Sequence, residues 1–230
     1  MWIPRRTATR IALGTAATVV AVLGLAQLLL PGIAAQRVRD ELSRYGVVKS
    51  ATVSAFPAIE LLWGGAQSAS VSAGKLNMGF SQAAELLWKA RGVQRIDMTA
   101  QSMRLGSITM HGVRTEKRGT ALYIQGRAGP ADFSGAAPGG MEVQSLESVP
   151  GGVQARASGN LFGVRTSADA LLSVQEGKLV AQPQGVPFAG LVKLTIFSTP
   201  HMAMQSFDVV RLSSPGSDPR YLVKLWAKLH

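Results

Sequence analysis

From Ile11 to Leu30 the chain carries 20 residues without a charge, and Gln27 is the one strongly polar residue among them. At a rise of about 1.5 Å per residue such a run spans about 30 Å as a helix, the thickness of a bilayer's hydrocarbon. A cleaved export signal has an apolar stretch of roughly 7–15 residues ahead of small residues at its cut site. Here the stretch is longer, and Ile33-Ala34-Ala35 makes a poor cut site. Residues 11–32 therefore read as a transmembrane anchor or uncleaved signal, with Pro31-Gly32 ending the helix.

Arg5, Arg6 and Arg10 precede the run. Cationic flanks stay on the cytoplasmic side, so residues 1–10 are expected to form a cytoplasmic basic tail. Residues 33–230 are then an exported domain, facing the periplasm or cell envelope from a single-pass anchor. Without those three arginines, 21 Lys and Arg stand against 13 Asp and Glu. A cationic surface of this kind attracts anionic lipid headgroups, acidic polymers or nucleic acid, and the topology removes nucleic acid. There are no cysteines, which excludes disulfides, thiolate catalysis and cysteine-ligated metals. An exported domain without disulfides depends on its core, and this chain is long enough to build one.

Past Pro31-Gly32 a short amphipathic helix is expected from Ile33 to Tyr45, with Ala34, Val38, Leu42 and Tyr45 on one face. From Val47 the period changes to two. Ala51, Val53 and Ala55 alternate with serine and threonine, and so do Ala69, Val71 and Ala73, the pattern of half-buried strands. A second helix is expected between Ser81, as its cap, and Gly92, with Lys89 and Arg91 in the turn that favours cations. After Gly92 strands and turns alternate: Ile96 with Met98, Ile108 with Met110, a polar turn at Glu116-Lys117-Arg118-Gly119, a hairpin at Pro150-Gly151-Gly152 and another at Glu176-Gly177. The fold class is α+β with a mostly antiparallel sheet. Its inward positions are small, which suits a curved sheet wrapping one or two helices around an apolar groove, or a thin sandwich.

Catalytic signatures are missing. His111, His201 and His230 stand in no metal-ligand spacing, and no nucleophile elbow or phosphate-binding glycine loop occurs. The acids are scattered, so a glycosidase's paired carboxylates have no local signal. No enzymatic activity and no cofactor are implied. Chemistry concentrates instead in two apolar clusters: Phe56-Pro57 with Leu61-Leu62-Trp63, and Leu86-Leu87-Trp88 with the cations Lys89, Arg91 and Arg95 beyond it. Tryptophan beside leucine and a basic residue suits a membrane–water boundary, and the cations suit a phosphate headgroup. The same residues would also serve as ordinary core.

The order of these elements resembles the LmeA-like family of actinobacterial envelope phospholipid-binding proteins. The resemblance rests on an export or anchor helix, a charged helix, a strand ending in Phe56-Pro57, an apolar turn with Leu61-Leu62 and Gly64-Gly65, and the strand Ala69-Ser70-Val71-Ser72-Ala73. Further on, Glu176-Gly177-Lys178-Leu179-Val180 and Pro183 resemble the family's acidic-Gly turn and following strand. The chain departs from the family near its C-terminus, where Thr199-Pro200-His201 replaces a Leu-Pro-Gly-like turn. The resemblance implies a tubular lipid-binding fold and a protein that binds phospholipid and supports maturation of lipid-linked glycans. The expected partners are then phospholipid or another anionic lipid and the membrane. The two apolar clusters and their cations themselves give the expected lipid-binding residues: Phe56, Leu61, Leu62, Trp63, Leu86, Leu87, Trp88, Lys89 and Arg91. The alternative is a tethered, non-catalytic adaptor that docks a protein partner in the envelope.

Overall fold

The computed structural model describes residues 27–56, 58–63, 65–135, 141–161, 164–185, 193–213 and 219–230. Most of the expected span 11–32 lies outside them. Among the described residues no helix is long and apolar enough to cross a membrane.

The first described element is a helix over 27–43, α1. It is continuous through Pro31 and Gly32, so the expected break there is not found. Proline at 31 forgoes a bond to the carbonyl four residues back and crowds it, at a cost of about 3 kcal/mol, and Gly32 costs about 1 kcal/mol relative to alanine. Tertiary contacts offset this: the Gln27 side chain accepts from the Ala58 N–H at 2.7 Å and donates to the Ala55 carbonyl at 3.4 Å, tying the helix to the loop opposite.

Among the described residues twelve strands follow in two sheets. The first holds β1 (Gly46–Ser54), β2 (Ala66–Met78), β3 (Val93–Leu105), β4 (Ile108–Arg118) and β5 (Ala121–Ala128) in chain order. The second holds β6 (Glu142–Val149), β7 (Gly152–Leu161), β8 (Val164–Gln175), β9 (Lys178–Gln184) and β10 (Leu194–Phe197). The chain then returns to the first sheet with β11 (Met202–Arg211) and β12 (Tyr221–Leu229), and β12 pairs with β5. The class is thus α+β and mostly antiparallel. In β2 the expected alternation holds, with Ala69, Val71 and Ala73 buried.

One pair of the first sheet is parallel, β2 with β3. A parallel pair needs a crossover, and α2 (Phe80–Lys89) supplies it, lying across the sheet's inner face. Its start is set by Gly79, whose N–H donates to the Gln82 side chain at 2.7 Å, rather than by Ser81. At the β3–β4 turn Gly106 (φ 58°) seats the Phe80 ring: a Cβ there would stand 2.9 Å from it. The β8–β9 hairpin turns on Glu176 and Gly177, both at positive φ, the backbone that a two-residue hairpin requires.

The expected polar turn at Glu116-Lys117-Arg118 is instead the end of β4, and the turn proper is Gly119-Thr120. Inward alternation continues through Val113, Thr115 and Lys117, and the lysine is fully buried.

The two sheets share one core. Tyr221 on β12 accepts the Leu146 N–H of β6 at 3.0 Å. The Ser148 hydroxyl bonds the Val209 carbonyl of β11 at 2.7 Å, and also the Asp208 carboxylate. The short helix α3 (Ala131–Ser134) adds Phe133 to this core.

Candidate functional site

Strand register places Val71, Met98, Thr115, Ile124, Leu225 and Phe207 side by side, one from each of β2, β3, β4, β5, β12 and β11. All six line a single groove of about 710 Å³. This volume is in the range of ligand pockets rather than packing defects. Val38 and Leu42 of α1 face the row, as do Ala83, Leu86 and Leu87 of α2, while Phe133, Leu179 and Phe197 line it from α3 and the second sheet.

α2 is fastened at both ends. Phe80 meets Phe197 edge to face, with centroids 5.1 Å apart. Trp88 stacks on His201 at 4.8 Å, and the Arg91 guanidinium lies 4.4 Å from the Trp88 ring centre.

Six of the eight methionines line the groove: Met78, Met98, Met103, Met110, Met202 and Met204. An unbranched thioether conforms to irregular apolar shapes better than leucine or valine. The lining is otherwise almost wholly aliphatic and aromatic, and its polar members are Arg37, Glu41, Lys89 and Thr115. Lys89 Nζ stands 3.2 Å from Glu85 and 3.6 Å from Glu41. Its hydrogen bond and ion pair with Glu85, aided by Glu41, hold it above the usual lysine range. Arg37 is exposed at the rim and makes no ion pair among the described residues.

Two polar groups sit on the inner face of β4. The Thr115 hydroxyl is buried and has no hydrogen-bond partner among the described residues. One rung along, Lys117 Nζ donates to the backbone carbonyls of Val93 and, at 3.4 Å, Arg91. Burial pushes its pKa below the usual lysine range. The ammonium thus fastens the turn between α2 and β3 from beneath.

Of the residues expected from sequence, Leu86, Leu87 and Lys89 line the groove. Trp88 and Arg91 fasten α2 instead of lining it. Phe56 is 72% exposed in the bend after β1 and Leu61 is half-buried; neither lines the groove. The side chains of Leu62 and Trp63 lie outside the described residues. Sequence reading missed Arg37 and the methionines. The methionines did carry a signal, since Met98, Met110 and Met204 each occupy an inward position of an alternating strand.

A second depression of about 830 Å³ is lined by His111, Arg127, Asp132, Ser134, Glu142 and Arg220, among others. Asp132 and Glu142 are the one acidic pair that shares it. Asp132 is committed to the local turn: it accepts the Gly129 N–H at 2.8 Å and faces His111 Nε2 at 3.4 Å. Compared with protein-family models, with curated proteins and with solved structures, the chain matches none.

Proposed function

We propose that this protein is a membrane-anchored lipid-binding module of the cell envelope, which holds an acyl chain in the groove between α1, α2 and the first sheet and performs no catalysis. The observation that carries the reading is the groove itself: about 710 Å³, lined by apolar side chains from three helices and both sheets. Moved from water, each buried methylene contributes about 0.8 kcal/mol. Moved from a bilayer, the same methylene gains almost nothing, because the lipid tails are as apolar as the groove. Exchange with a membrane then stays close to isoenergetic, which suits a carrier or presenter of lipid.

Attachment to a membrane by the apolar run ending at Leu30 belongs to this proposal. Leu28, Leu29 and Ile33 on α1 and Phe56 are all exposed, and Gln27 ties this end of α1 to Ala55 and Ala58, on either side of Phe56. An interfacial position would cover these side chains. The resemblance to LmeA-like proteins points the same way, toward phospholipid and maturation of lipid-linked glycans in the envelope.

Photolabelling of the full chain in nanodiscs tests the proposal. An acyl chain bearing a diazirine near its end should label groove peptides, and Leu87→Asp should abolish that labelling while circular dichroism stays unchanged. Labelling that survives Leu87→Asp removes the groove from the account. The adaptor alternative draws on Val210 and Leu212, exposed on and beside the edge strand β11. A co-purifying protein together with an unlabelled groove would put that reading first.

A further inference from the structure

Resting on the lipid reading, we infer that the groove's ligand is an amphiphile with an anionic head, seated with the head on Arg37.

The argument is charge. The groove's lining has cations from Arg37 and Lys89 and an acid from Glu41. Lys89 is held by Glu41 and Glu85, so Arg37 is the lining cation without a carboxylate partner among the described residues. A guanidinium presents paired N–H donors that match a carboxylate or a phosphate. Deeper in, from Val71 across to Phe207, the floor offers no charge at all, and an anion would find no compensation there. Head at the rim and chain along the methionine floor is the orientation that leaves no charge buried.

A carboxylate and a phosphate head share this chemistry, and the experiment separates the two sources. The full chain in phosphatidylcholine nanodiscs is photolabelled with diazirine forms of oleate, oleoyl lysophosphatidylglycerol, oleyl alcohol and dioleoylphosphatidylglycerol. Adducts on the peptides spanning Met98 to Met110 are counted by mass spectrometry. Oleate, the lysolipid or both should label these peptides about tenfold more than the uncharged alcohol does. Arg37→Gln, a change at an exposed position, should bring the anions down to the alcohol's level and leave the alcohol unaffected. Stronger labelling by oleate assigns a carboxylate head, and stronger labelling by the lysolipid a phosphate. Equal labelling by the uncharged alcohol overturns the inference and leaves the groove reading intact, as does anion labelling indifferent to Arg37→Gln. Failure of all four probes counts against the lipid reading itself.

Discussion

Trp88 on α2 lies flat against His201 in the β10–β11 turn, their ring centroids 4.8 Å apart and their planes 16° from parallel. With Phe80 held on Phe197 at the other end, α2 is a strap pinned at two points beside the groove. An aromatic pair of this kind contributes about 1 kcal/mol beyond the area it buries. His201→Ala should lower stability by about that amount and free the C-terminal end of the strap. If that end opens for ligand release, dissociation of a bound fluorescent acyl chain should quicken by about fivefold. Stopped-flow displacement measures this, and an unchanged rate would mean that release does not pass beneath α2.

Lys117 predicts a pH dependence. Its pKa in the folded protein lies below the ordinary 10.5 because burial disfavours the ammonium. Between the folded value and 10.5 the unfolded chain binds more protons, so stability rises with pH through that window and levels off above it. Lys117→Met fills similar space without the charge. It should abolish the rise, and stability at neutral pH should fall by about 1 kcal/mol or more because the Val93 and Arg91 carbonyls lose their donor. Urea midpoints between pH 7 and 11 give the answer; parallel curves for the two proteins would contradict the assignment.

The Thr115 hydroxyl, which has no hydrogen-bond partner among the described residues, sits between Met98 and Ile124 in the groove floor. Thr115→Val removes a buried polar group that has nothing to bond, and should stabilise the ligand-free protein by about 1 kcal/mol. A loss of stability would show that the hydroxyl has a partner in solution.

Much of this fold is legible locally. Alternation of alanine and valine with serine marks β2, and Phe80, Ala83, Ala84 and Leu87 mark the inward stripe of α2. The groove floor is not legible in the same way. Met98 and Thr115 pair across the β3–β4 hairpin, but Leu225 and Phe207 join the same row only because β12 pairs with β5 and β11 with β12, and periodicity gives the face of a strand without its partner. Lys117 was hidden by Glu116 and Arg118: three charges before a glycine look like a solvated turn, and the inward alternation of Val113 and Thr115 is what carries the lysine into the core. Phe56 and Leu87 are equally apolar in sequence; position alone separates an exposed bend from a groove wall. Pro31-Gly32 looks like a helix end by propensity, and the Gln27 contacts that hold α1 in place are long-range.

The central claim is that the groove holds lipid, and native mass spectrometry of the full chain ejected from mixed phosphatidylcholine and phosphatidylglycerol nanodiscs tests it most directly. The account predicts one retained lipid per chain, present in wild type and in Phe56→Ser, and absent from a folded Leu87→Asp. A wild-type chain that emerges bare while still folded, or a lipid retained equally by Leu87→Asp, would contradict it.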